Sequence, residues 1–106
     1  MIKTFKVETS SGTPIRFINE LEVVGDLIYG NVLPLNVIIE IDKKTGTVTN
    51  VYDFKELFNI QMKYVDQSHT YWDRTNNVMN GIAYRVSTGN LLVTGKNWNY
   101  IFEIEI

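Results

Sequence analysis

Val37-Ile38-Ile39-Glu40-Ile41-Asp42, then Lys43-Lys44-Thr45-Gly46, then Thr47 through Phe54, reads as a strand, a tight turn and a returning strand. The apolar positions of the first run are all β-branched, and the break that follows ends on glycine, so the pattern is that of a hairpin. Toward the N-terminus, Leu27 to Val32 is a further apolar run, and Gly25-Asp26 separates it from Glu20 to Val24. Strands joined by such short turns predict an antiparallel meander.

The second half repeats the plan. Gly81 to Arg85 is a strand, Ser87-Thr88-Gly89-Asn90 a turn and Leu91 to Thr94 the next strand. After a turn through Gly95 to Asn99, Tyr100 to Ile106 alternates to the end of the chain. Asn19-Glu20-Leu21-Glu22 and Asn80-Gly81-Ile82-Ala83 hold equivalent places in the two units, about 61 residues apart. That exceeds the roughly 40–50 residues of a propeller blade and calls for an insertion. Phe54 to Met79 supplies it: Phe54 to Phe58 predicts a helical turn, and Gln61 to Asn77 a polar, aromatic loop. Thr4 to Glu8 alternates as a strand without a unit and is expected to complete the C-terminal one, in this chain or in a neighbour.

The fold expected is therefore all-β, with two four-stranded antiparallel blades forming one partial propeller domain. Blade one runs over approximately 15–55, a long loop over 56–78, and blade two over 79–106 together with strand 3–8. Two blades leave sheet edges open, a problem propellers solve by closing the ring, so further blades or copies of the chain are expected as partners.

The bulk numbers exclude several function classes. A length of 106 residues with 44% hydrophobic content supports one modest core and no second domain. Ten Lys and Arg against twelve Asp and Glu give a net charge of −2, which offers no basic face to nucleic acid. No basic amphipathic stretch or long apolar run suggests a membrane. Met1 to Glu8 carries charges where a signal peptide needs an apolar core, so a soluble chain without a signal peptide is expected, its compartment open. Cysteine is absent, which removes disulfides, thiol nucleophiles and thiolate metal sites. His69 is the single histidine. With Asp66 and Asp73 it makes a weak metal pattern, and a polar loop is the better reading. No zinc motif, phosphate-cradling glycine loop or local serine–histidine signature is present.

Asn19-Glu20-Leu21-Glu22, Gly30-Asn31-Val32, Ile39-Glu40-Ile41-Asp42, Asn80-Gly81-Ile82-Ala83, Thr94-Gly95-Lys96-Asn97-Trp98 and the ending Phe102-Glu103-Ile104-Glu105 together resemble the C-terminal part of the glutamine cyclotransferase family. The resemblance spans nearly the whole chain. It implies the last two blades of a five-bladed β-propeller that converts N-terminal glutamine to pyroglutamate and releases ammonia. It implies a carboxylate as general acid/base and no catalytic metal or other cofactor. A structural calcium on the propeller axis, near Glu20 and Glu22, is a weaker expectation. The family's catalytic glutamate belongs to an earlier blade and has no counterpart here.

By that resemblance Asn19, at the start of an innermost strand, polarises or binds the substrate carbonyl. On residue type alone it is a turn asparagine satisfying backbone groups. Lys96 becomes the active-site lysine, against the plain reading of a solvated turn lysine. Asn80 lines the channel or makes a structural hydrogen bond. Glu20, with Glu22 on the same strand face, points inward toward the substrate or Lys96, or outward to solvent. Trp98 contacts substrate or packs between blades. Leu33 stands where the family usually has a pocket-lining tryptophan, so one aromatic wall is missing unless Tyr71 or Trp72 rebuilds it. The leading expectation is a glutaminyl-peptide cyclotransferase completed by other blades or chains and acting on N-terminal glutamine peptides. The alternative is a non-catalytic propeller fragment or binding scaffold, and an unrelated β-sandwich is disfavoured by the ordered motifs.

Overall fold

Side chains along a strand alternate between faces, so Leu27, Tyr29 and Asn31 point one way from the second strand and Ile28, Gly30 and Val32 the other. Both sets are mostly apolar, and both have something to cover. In a computed structural model, which describes residues 2–63 and 78–106, these residues belong to a four-stranded antiparallel sheet. Its strands, β1 (Ile18–Val24), β2 (Leu27–Val32), β3 (Val37–Asp42) and β4 (Val48–Asp53), lie in sequence order. A second antiparallel sheet contains β5 (Met79–Arg85), β6 (Asn90–Gly95) and β7 (Phe102–Ile104). The fold is all-β with two antiparallel sheets, as the alternation predicts, and the sheets pack face to face through a shared core. Tyr29, Ile38, Met79, Leu91 and Val93 form its buried centre. Leu27, Tyr52, Ile82, Tyr84, Phe102 and Ile104 pack around it.

The expected helical turn is longer than the sequence suggests: α1 runs over Lys55–Lys63. The Asp53 carboxylate accepts the Lys55 N–H at 2.9 Å, and Glu56 lies in the first turn. Both complement the unpaired donors and positive end of the helix. Phe58 and Gln61, three residues apart, are the buried positions among the described side chains of the helix, which is the spacing that places two side chains on one face. Trp72, Tyr71, His69, Asp66 and Asp73 lie outside the described residues, as does the rest of 64–77.

One expectation is corrected. Within this chain residues 3–8 form no strand of the C-terminal sheet, which has three strands among the described residues. They lie instead on the first sheet, where Glu8 bridges Thr47 in parallel and Pro14 antiparallel. Glu8 donates its N–H to Gly46 O at 3.2 Å and accepts from Val48 N at 2.9 Å. The physical reason is the second apolar face of the first sheet. Phe5 and Val7 close over it, forming with Ile18, Asn19, Leu21, Ile28 and Ile41 a crevice of about 280 Å³. Gly46, at φ 79°, permits this approach: a Cβ there would sit 2.2 Å from the Lys6 carbonyl oxygen. The cover is partial, since Leu21, Val23 and Val51 on this face remain more than half exposed.

The first sheet carries a small polar network across β2, β3 and β4. The Tyr29 hydroxyl donates to Glu40 Oε2 at 2.9 Å, the Tyr52 hydroxyl donates to the same oxygen at 3.2 Å, and the Thr49 hydroxyl reaches Oε1 at 2.7 Å. Burial and then the bond to Glu40 push the Tyr29 phenol far above its ordinary value of 10.0. Tyr52 moves in the same direction, by burial and then the charge of Glu40. The folded chain therefore holds these protons more tightly than the unfolded one. This contribution to stability is complete below about pH 10 and declines as pH rises further. Melting temperature measured from about pH 8 to about pH 11 should fall on the alkaline side, with a shallower fall in Tyr29→Phe.

Candidate functional site

The site is built where two innermost strands start. The β1–β2 register is interrupted between Ile18 and Leu21, and the β5–β6 register between Met79 and Ile82. Such bulges re-aim the side chains within them. Here they hold Asn19 with Glu20, and Asn80 with Gly81. The result is a direct contact between the sheets, in which Asn19 Nδ2 donates to Asn80 Oδ1. That bond leaves Asn19 one side-chain hydrogen and Asn80 two, and Asn19 is exposed.

Lys96 reaches the same end of the molecule from the turn after β6. Met79 pairs with Gly95 across the ladder, and Lys96 N donates to Val78 O at 3.2 Å. Lys96 is exposed. The following Asn97 has φ 60°, a left-handed conformation that asparagine tolerates better than most residues. Leu33 also belongs to this end. It follows the Ile18↔Val32 pair, donates its N–H to Phe17 O at 2.9 Å, and precedes Pro34 through a cis peptide bond. Phe17, just before β1, has φ 64° and is 75% exposed. That conformation costs a bulky residue roughly 1–2 kcal/mol, and the cost falls next to Asn19.

Glu20 is exposed and Glu22 half-buried. The Glu20 backbone N–H is held at 2.8 Å by Asn31 Oδ1. Among the described residues no three His, Cys, Asp or Glu side chains come together as metal ligands. No helix among the described residues is long and apolar enough to cross a membrane.

Trp98 braces the lysine turn. Its indole is half-buried, tilted against Phe58 at 6.1 Å and edge-on to Phe102 at 6.0 Å. Helix α1 adds a second tie, from Gln61 Nε2 to Asn99 Oδ1. The indole also lies directly over Gly95, where a Cβ would come within 2.4 Å of Trp98 Cε2. Gly95→Ala should therefore displace the indole and with it the Lys96 turn. We expect a loss of about 1–3 kcal/mol, the range for an overpacked site, with movement of the Trp98 indole N–H signal in the NMR spectrum. Unchanged stability and an unmoved signal would contradict this packing.

Two contributors escaped the sequence reading. Asn31, fully buried, and Asn36, in the turn before β3, both hydrogen-bond the backbone of Met79. A signal existed for Asn31. It interrupts an apolar strand on the face that packs against the second sheet, where a polar residue needs partners.

The architecture and this end of the molecule define a class: paired antiparallel sheets sharing one core, with an exposed and a half-buried carboxamide in contact where the first strands begin and a lysine turn at the same end. Comparison with known proteins makes the assignment specific. The family model for glutamine cyclotransferase matches residues 1–106, and the chain belongs to that family. A glutaminyl-peptide cyclotransferase of Arabidopsis thaliana is 29% identical over 96 residues, 91% of this chain and 28% of the relative. The crystal structure of Myxococcus xanthus glutaminyl cyclase superimposes with a TM-score of 0.83 at 33% identity, covering 98% of this chain and 41% of that one. The chain thus spans less than half the length of either relative.

Proposed function

We propose that this chain supplies one wall of a glutaminyl-peptide cyclotransferase site, completed by further propeller blades or by other copies of the chain. The observation that supports the reading is the Asn19–Asn80 contact between the two sheets, with the turn that carries Lys96 at the same end, in a member of this family. In the reaction the α-amine of an N-terminal glutamine attacks its own side-chain amide carbon. A C–N bond closes the lactam ring, the bond to the amide nitrogen breaks, and a proton passes from the attacking amine to the departing ammonia. The carboxamide hydrogens of Asn19 and Asn80 and the ammonium of Lys96 suit the developing oxyanion, where preorganised donors have their greatest effect. Holding the amine against the amide carbon accounts for much of the remaining barrier. The proton shuttle requires a carboxylate or equivalent, and in this reading it comes from the completing blades.

A non-catalytic scaffold remains the second reading, because the chain spans under half of the relatives it matches. The two are separated by incubating the chain with a peptide bearing N-terminal glutamine and following ammonia and pyroglutamate, with the N-terminal asparagine peptide as control. Size-exclusion fractions should be assayed separately. Turnover confined to an assembled fraction supports a completed site. Absence of turnover in every fraction favours the scaffold.

A further inference from the structure

Asn31 spends its side chain on two other strands. Its Oδ1 accepts the Glu20 N–H of β1 at 2.8 Å, and its Nδ2 donates to the Met79 carbonyl of β5 at 3.1 Å. Both backbone groups border the interrupted stretches of their ladders. Glu20 immediately follows Asn19, and Met79 immediately precedes Asn80. Met79 is held on its other side as well, its N–H donated to Asn36 Oδ1 at 3.0 Å.

We infer that Asn31 is a positioning residue: one buried carboxamide ties the two bulges together and so sets the separation of the Asn19 and Asn80 side chains. A bulge releases backbone groups from the ladder, and in a buried place each must find another partner. Water is the usual recourse, but a water bridge would let the two strands drift. Asn31 is 0% exposed and bridges them with a planar group of fixed reach. Gly30 assists, since a Cβ there would press at 3.0 Å on Ile18 and Leu21, on either side of the β1 bulge. The inference names a determinant of the proposed site's geometry and rests on that functional reading only for its catalytic consequence.

Asn31→Asp tests it in the full chain. The carboxylate keeps an acceptor for Glu20 N–H, but it loses the donor and faces the Met79 carbonyl with negative charge. Val93→Ala serves as the control, because it removes core packing without touching either carboxamide. In isotope-labelled protein, Asn31→Asp should shift the Asn19 and Asn80 side-chain amide signals while the Glu20 amide stays protected from exchange. Val93→Ala should leave both pairs of signals in place. If wild type turns over glutamine peptides, kcat in Asn31→Asp should fall by about 10²-fold, the scale of a small misplacement of reacting groups, with KM changed far less. Unmoved Asn19 and Asn80 signals in folded Asn31→Asp would overturn the inference, as would equal shifts in Val93→Ala. Shifted signals with no turnover in wild type would leave the inference standing and count against the functional reading instead. Should Asn31→Asp fail to fold, the scalar coupling across the Asn31 Nδ2–Met79 hydrogen bond can be read in wild type. Its presence supports the bridge and its absence overturns it.

Discussion

Replacing Lys96 with alanine is expected to lower kcat/KM for an N-terminal glutamine peptide by about 10²–10³-fold, the usual consequence of deleting one preorganised donor from an oxyanion site. Asn19→Ala should fall in the same range, and the double variant should fall short of the product of the single effects. Residues that stabilise one developing charge act as a unit and are not additive. Lys96 is exposed and lies in a turn, where truncation of a solvated side chain changes stability by about 0.5 kcal/mol or less. Its effect on turnover is thus separable from any effect on folding. Asn19→Ala also costs the hydrogen bond to Asn80, a net contribution of about 0.5–1.5 kcal/mol, so its kinetics should be taken where the variant is fully folded. Full activity in both single variants would remove these residues from the site.

The largest effect on stability is expected from Gly46→Ala. Its φ of 79° is left-handed, which costs an alanine about 1–2 kcal/mol. The new Cβ would also meet the Lys6 carbonyl oxygen at 2.2 Å and Phe5 Cδ2 at 2.9 Å. Relief requires the N-terminal segment to lift from the first sheet. That surrenders the cover over Ile28 and Ile41, at up to about 1.5–3 kcal/mol per fully buried aliphatic or aromatic side chain. The total expected loss is about 3–4 kcal/mol by denaturant unfolding. Gly89→Ala is the matched control: its φ is 73°, but the nearest atom to a new Cβ is the Tyr84 hydroxyl at 3.9 Å. It should show the backbone cost alone. Hydrogen exchange adds a local reading, since the Glu8 and Val48 amides should lose protection in Gly46→Ala and keep it in Gly89→Ala. Equal losses of stability in the two variants would contradict the docking of the N-terminal segment.

Gly46 also marks where sequence reasoning reached its limit. Alternation over Thr4 to Glu8 suggests extended chain but says nothing about which sheet receives it. The decision is made by a missing Cβ some forty residues away (Lys6 to Gly46, by the numbering) and by an uncovered apolar face. The strands themselves were legible, because Leu27 to Val32 and Val37 to Asp42 are largely apolar runs bounded by turns. Helix α1 was half legible. Phe54 to Phe58 suggested a turn, while its continuation depends on Phe58 meeting Trp98, a contact between distant parts of the chain.

The candidate site divides in the same way. Asn19 and Asn80 could be matched as equivalent positions of a repeat, and Lys96 could be recognised by its motif. The contact between Asn19 and Asn80 could not be read, because it follows from paired bulges held by Asn31. Residue type does not distinguish a buried bridging asparagine from one that closes a turn. Trp98 carried two readings at the outset, substrate contact or packing between blades. The half-buried indole lies over Gly95 and packs against the edge of the inter-sheet core.

The most direct test of a substrate wall at this end of the molecule does not need turnover. An N-terminal glutamine peptide titrated into isotope-labelled chain should move the signals of Asn19, Asn80 and Lys96. The hairpin turns at the opposite end, around Gly25 and Gly89, should stay fixed. Movement of the turns with Asn19, Asn80 and Lys96 unmoved, or an equal response to an N-terminal asparagine peptide, would contradict the assignment.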